Sequence, residues 1–253
     1  MIEVVYALWR RDMVKFLRDR RSLVTSLTRP FLWLLAFGFG LRGSVRLPGA
    51  AGGPAPDFIS FLVPGIAAMT VLFGSMFAAI SIVWEREFGF LKELLVAPVP
   101  RGAIVAAKLL AGSATALIEA TLMLALSPLI GARFSIPGAL ASLPLLALFG
   151  MAVNGLGITV AARMKSFEGF GSVVNFVIQP IFFLSGALYP IAGLPRALRA
   201  VVMLNPMSYV VDAIRGLTIG HHGFPLWLDA SVVLASAIAL GAIATRAFRN
   251  MEI

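Results

Sequence analysis

The 253-residue sequence has no cysteine and only two histidines, the adjacent His221 and His222. Disulfides, thiolate metal sites and iron–sulfur clusters are thereby excluded, while the redox compartment stays open. Adjacent side chains point to different faces of a helix, and no acidic cluster lies beside the pair, so two solvated loop residues are expected rather than metal ligands. Charge is scarce as well: Asp, Glu, Lys and Arg make up 13% of the chain, against 59% hydrophobic residues and a mean hydropathy of +0.93. No G-x-x-x-x-G-K-[ST] phosphate loop, H-E-x-x-H or G-x-S-x-G motif occurs. No recognised constellation therefore binds ATP or cuts a bond, and no catalytic residue, metal site or cofactor is expected on this chain. The net charge of +9 does not point to nucleic acid, because no soluble basic face carries it. In so apolar a chain, positive charge collects beside anionic lipid on the cytoplasmic side.

What the sequence does have is long apolar runs. Several reach the roughly 20 residues needed to cross a bilayer. They predict an all-α, polytopic membrane protein, a single permease-like domain over residues 1–253 with spans at 23–41, 58–84, 102–130, 137–162, 170–188 and 224–245. Residues 1–22 read as an amphipathic interfacial helix, with Val5, Trp9, Met13 and Phe16 on one side and Arg11, Lys15 and Arg18 on the other. The charges Asp12 and Asp19, and the lack of a small-residue cleavage site, argue against a signal peptide. Six crossings put both termini on one side. That side gathers the basic residues of Arg10–Arg21, with Arg86, Lys92, Arg101, Arg163, Lys165, Arg246 and Arg249; the other holds Arg42, Arg46, Arg133, Arg196, Arg199 and Arg215. The positive-inside rule makes the termini cytoplasmic. Residues 189–222 are too polar to span and too apolar for an ordinary loop. Asn205–Pro206 fits an N-cap with proline at the first helical position, so short helices at the outer face are expected there.

Between the second and third spans lies a charged island, Glu85 to Arg101, E-R-E-F-G-F-L-K-E-L-L-V-A-P-V-P-R. It is itself amphipathic: Phe90, Leu91, Leu94 and Leu95 follow helical spacing, Glu87, Lys92 and Glu93 are polar, and Pro98 with Pro100 end the run. Such a loop offers a handle to another protein on the cytoplasmic side. Polar residues inside spans are the other candidates, because an ionisable group at mid-bilayer costs roughly 2.5–3.5 kcal/mol. Glu119, Asn154, Asn175 and Gln179 could form a polar path or make helix–helix hydrogen bonds. Arg29 could snorkel to phosphates or line an entrance for an anionic head group. Phe37 and its aromatic neighbours could border the same path or contact lipid.

The interfacial helix, the six spans, the Glu85–Arg101 stretch, Lys108 after it, and L-P-R-A-L-R-x-x-x-x-L-N-P-M-S-Y-V-V-D-A-I-R at Leu194–Arg215 together resemble the ABC type-two permeases. These are membrane subunits of ATP-binding-cassette exporters, and the resemblance covers nearly the whole chain. It implies that two permeases pair and that each docks a separate nucleotide-binding subunit, which carries the ATP and Mg. By position, Glu85, Arg86, Glu87, Gly89, Leu91, Leu94, Leu95 and Pro98 would form the coupling helix. Asn205, Pro206, Tyr209, Asp212 and Arg215 would form an outer cap or gate, where Tyr209, Asp212 and Arg215 share a helix face and the last two can pair. Arg29, Phe37, Glu119, Asn175 and Gln179 would border the translocation path. Glu119 departs from the amide or neutral residue that many relatives carry near that point. The resemblance implies an inner-membrane, homodimeric or heterodimeric exporter of an amphipathic, lipid-like or drug-like substrate. A secondary transporter or channel using Glu119 and a lipid-modifying membrane enzyme are the rival readings.

Overall fold

A computed structural model describes residues 2–41, 56–90, 99–164 and 166–251. The elements are α1 (Ile2–Arg18), α2 (Arg20–Gly40), α3 (Phe58–Ala78), α4 (Ile80–Glu87), α5 (Arg101–Leu126), α6 (Ile136–Arg163), α7 (Phe167–Val173), α8 (Gln179–Phe183), α9 (Arg196–Leu204), α10 (Pro206–Ile219) and α11 (Leu226–Arg249). No strand occurs among the described residues, so the all-α class expected from the apolar runs holds.

Five stretches are long and apolar enough to cross a membrane: Leu23–Gly40, Phe58–Glu87, Arg101–Ile130, Ile136–Arg163 and Leu226–Arg249. They match five of the six spans read from the sequence. The expected crossing at 170–188 corresponds to a shorter apolar helical stretch, Phe167–Phe183, at the lower limit of what can span a bilayer. Its middle, Val174–Ile178, widens into a π turn in which the Gln179 N–H reaches back to the Val174 carbonyl. Pro180 is the cause, since it has no N–H to donate and its ring crowds the carbonyl four residues earlier. A sixth long crossing exists only if α9 and α10, bent by 88° to one another, are counted as one broken span. Asn205 makes that corner. Its side-chain oxygen accepts the Met207 N–H at 3.0 Å, while its amide donates to the Ile181 and Leu184 carbonyls at 2.6 and 3.0 Å. Pro206 follows at the first helical position, where a missing N–H costs nothing.

Helix α3 sits at the centre of the bundle, buried along nearly its whole length, with Leu62, Ile66, Ala67, Met69 and Leu72 at 1% exposure or less. Around it pack α2, α5, α6 and α10, and α11 covers α6. In lipid the hydrophobic effect does not draw one helix to another, so association rests on close packing and interhelical hydrogen bonds. Both are present. A Cβ on Gly155 would lie 2.9 Å from the Leu240 carbonyl of α11, so only glycine permits that approach. The Asn154 amide of α6 donates to the Lys108 carbonyl of α5 at 2.8 Å, and the Ser113 hydroxyl of α5 donates to the Ala147 carbonyl of α6 at 2.7 Å. Helix α1 lies against α5 with Met13 buried, leaving Ile2, Tyr6, Val14 and Leu17 exposed.

Candidate functional site

Helices α1 to α5 enclose a cavity of about 1260 Å³. Helix α2 forms its outer side at the edge of the bundle, with 17% of its apolar window buried. Pro30 stands in the middle of α2, where it removes one backbone hydrogen bond and bends the helix. On the preceding turn the Ser26 and Thr28 hydroxyls donate to the Leu23 and Val24 carbonyls.

One end of the cavity is lined by a charge network. Lys108 of α5, only 9% exposed, donates to Glu85 of α4 at 2.6 Å and to the Ser81 hydroxyl at 3.3 Å, and pairs with Asp12 of α1 at 3.4 Å. Arg11 bridges the same two acids, at 2.9 Å to Asp12 and 3.2 Å to Glu85. Two cations and two carboxylates thus join three helices, and the mutual pairing offsets the desolvation of each ion. Phe16, Trp84 and Phe88 line the wall beside this network.

Deeper in, the wall is aromatic. Phe73 and Phe77, one turn apart on α3, present their rings to the Arg29 guanidinium of α2 at 5.6 and 6.0 Å. That is cation–π distance. Glu119 lies eleven residues beyond Lys108 on α5, about 16 Å further along the helix axis. Its carboxyl is buried beside Ser26, and a Cβ on Gly74 would stand 2.8 Å from its Oε2. Arg29 and Glu119, two of the residues expected along a translocation path, therefore face one cavity. The other three lie elsewhere. Phe37 stacks on Trp33 at 5.1 Å, Asn175 is exposed on the π turn, and Gln179 begins α8.

The expected coupling residues divide. Glu85 faces the charge network, and Arg86 donates to the Ala162 and Met164 carbonyls at 3.4 Å, where a cation complements the end of α6. Glu87 is exposed. Gly89 has φ +81°, a left-handed turn that glycine adopts without steric cost, and it redirects the chain after α4. Leu91, Leu94, Leu95 and Pro98 lie outside the described residues.

At the opposite end of the bundle, the five expected cap residues fall on one corner, but Asp212 and Arg215 do not pair with each other. Asp212 accepts the Gly223 and Phe224 N–H groups at 2.8–2.9 Å, fastening the turn before α11. Arg215, 4% exposed, donates to the Phe61 and Ala187 carbonyls at 3.2 and 2.8 Å and stacks 3.7 Å from the Phe61 ring centroid. Backbone groups of the Gly223 turn, and the carbonyls of Phe61 and Ala187, take the two side chains in place of the local ion pair. The Tyr209 hydroxyl donates to the Met203 carbonyl at 2.8 Å. His221 is not the solvated loop residue expected. Its ring meets Phe61 edge-on at 6.3 Å, and burial, reinforced by the Arg215 charge, holds its imidazole below the ordinary value.

The sequence reading had missed Arg11, Asp12, Phe73, Phe77 and Trp84 as site residues. The four-residue spacing of Phe73 and Phe77 was a signal available within an otherwise uniform apolar run. The pairing of Asp12 with Lys108 had none.

A helical bundle with five long apolar helices and a mixed charged and aromatic cavity defines a multi-pass membrane protein of the transporter class. Residues 3–219 match the family model of the ABC-2 type transporter, and the chain belongs to that family. It is 29% identical over 218 residues to Nodulation protein J of Rhizobium meliloti, covering 85% of this chain and 80% of that one. It is 28% identical over 245 residues to the probable doxorubicin resistance ABC transporter permease protein DrrC of Mycobacterium tuberculosis, covering 91% of this chain and 85% of that one. Another Nodulation protein J, from Sinorhizobium fredii, is 26% identical over 236 residues, covering 92% and 87% respectively. The chain is thus the permease of an ABC transporter, in a family that implies an ATP-binding partner subunit.

Proposed function

We propose that this permease exports an amphipathic, lipid-like or drug-like substrate from the cytoplasm or inner leaflet, driven by ATP hydrolysed with Mg on a separate subunit. The observation that carries the reading is the cavity of about 1260 Å³, charged at one end and aromatic further in, bounded on its outer side by the peripheral α2. A polar mouth with apolar walls suits a molecule that has both kinds of surface. The doxorubicin-resistance name of one relative supports a drug-like cargo. Two copies would assemble, in the inner membrane with both termini cytoplasmic, as the distribution of Lys and Arg supports. Helix α1 would then lie at the cytoplasmic interface. The segment 85–101 would dock the ATPase, with Glu87 outward and Gly89 setting its direction, while Asn205, Pro206, Tyr209, Asp212 and Arg215 would cap the exit.

The test is reconstitution of the permease, with the ATPase that co-purifies with it, into proteoliposomes. ATP-dependent movement of a fluorescent lipid is then followed with and without that subunit. Movement should require both the subunit and ATP. Equal movement of the permease alone, abolished by Glu119→Gln, would instead establish a secondary transporter.

A further inference from the structure

The charges around the cavity are not balanced where a ligand would meet them. Of its acids, Asp12 and Glu85 are held by Arg11 and Lys108. Asp19 already has a partner. Glu119 is only 7% exposed, turned toward Gly74 and Ser26. Lys15 and Arg29 remain, both exposed, and among the described residues neither makes a hydrogen bond or ion pair. The Arg29 guanidinium sits over the Phe73 and Phe77 rings at 5.6 and 6.0 Å, an arrangement that leaves its N–H donors unused. An occupant of the cavity therefore finds two free cations, no accessible free carboxylate, and apolar walls.

We propose that the cavity selects acidic amphipaths, molecules with an apolar body and a phosphate, sulfate or carboxylate head, through Arg29. The forked guanidinium takes two oxygens of such a head in charge-assisted hydrogen bonds, with its geometry pre-set by the two rings. Lys15 draws the head inward from the mouth as a point charge. The apolar body lies along Phe73, Phe77 and Trp84. This deepens the export reading by naming its substrate class, and it rests on that reading for the purpose of the cavity.

The experiment measures binding without ATP or partner. The purified full-length permease, in neutral maltoside detergent, is titrated by thermophoresis with lysophosphatidic acid and with lysophosphatidylcholine of the same acyl chain. Inorganic phosphate serves as the tail-free arm. The wild type should bind the acidic lipid at least about tenfold more tightly than the choline lipid, as expected for hydrogen bonds to a charged group. Arg29→Gln should abolish that preference, weakening the acidic lipid by about tenfold and the choline lipid, whose phosphate is already neutralised by its own ammonium, by much less. Arg29→Lys should keep part of it, and it stands in should the glutamine variant fail to fold. Phe73→Ala should weaken both lipids together. Equal affinity of the wild type for the two lipids overturns the proposal, as does an equal loss of both in the Arg29 variants. Inorganic phosphate binding as tightly as the lipid would make this a free-anion site and overturn the amphipath. Because no transport is read, a failed export assay beside an intact acidic preference refutes the export reading alone, and the reverse pattern refutes this one alone.

Discussion

Replacing Lys108 with methionine leaves its aliphatic volume in α5 but removes the cation that two carboxylates share. Its ammonium lies 2.6 Å from Glu85 and 3.4 Å from Asp12. Truncating one partner of a fully buried ion pair costs about 3–5 kcal/mol, because the other charge is stranded. Two features reduce that here. Glu85 and Asp12 are 17% and 21% exposed, and Arg11 still reaches both. The expected loss is therefore about 1.5–3 kcal/mol. Glu85→Gln should cost less, about 1–2 kcal/mol, since Lys108 keeps Asp12 and the Ser81 hydroxyl. In the double variant no stranded charge is created at this pair, so its loss should fall short of the sum of the two single losses by about 1–2 kcal/mol. Unfolding by sodium dodecyl sulfate from bicelles, followed by circular dichroism, measures all four corners of this cycle. Additivity within about 0.5 kcal/mol would show that Lys108 and Glu85 do not act on one another, and the charge network would lose its role in holding α1, α4 and α5 together.

Asn205→Ala removes an N-cap and the two donations that pin the α9–α10 corner to the end of α8; a loss of about 2–3 kcal/mol is expected, and Asn205→Asp, which can cap but sets a carboxylate oxygen against the same two carbonyls, should lose at least as much in the same unfolding assay. Gly138→Ala places a Cβ against the Leu217 carbonyl, so α6 and α10 must separate, and a cost of about 1–3 kcal/mol should appear as a lower melting temperature; an unchanged value would contradict the packing of these helices. Arg215→Lys keeps the charge but not the fork over Phe61 or both carbonyl bonds, and should destabilise by about 1–3 kcal/mol, whereas wild-type stability would mean that the guanidinium does not anchor α10 to α3. The absence of native cysteine makes topology simple to read: Arg46→Cys and Arg133→Cys should label with a membrane-impermeant thiol reagent on intact cells, Lys92→Cys and Lys165→Cys should not, and labelling of Lys92→Cys would reverse the orientation.

The sequence by itself determined the helical, membrane-spanning character of this protein, because each long apolar run must satisfy its own backbone hydrogen bonds in lipid. Phe58–Glu87 and Leu226–Arg249 were legible on those grounds alone. So was the Asn205–Pro206 helix start, a local matter of one side chain and the next few N–H groups. The shortened helix at 167–183 was harder, since hydropathy registers only that its residues are apolar and is blind to the missing N–H of Pro180. Candidate path residues were legible as types but not as a set. Arg29, Phe37, Glu119, Asn175 and Gln179 all broke or decorated an apolar run, yet only the packing of α2 against α3 and α5 brings Arg29 and Glu119 to one cavity and leaves the other three outside it. Asp212 and Arg215 show the same limit, for helical spacing allows them to pair while the approach of Phe61, Ala187 and the Gly223 turn gives each a better partner. Only the tertiary structure decided these contacts, since a charge or ring has a strong preference for a partner type and almost none for its distance along the chain.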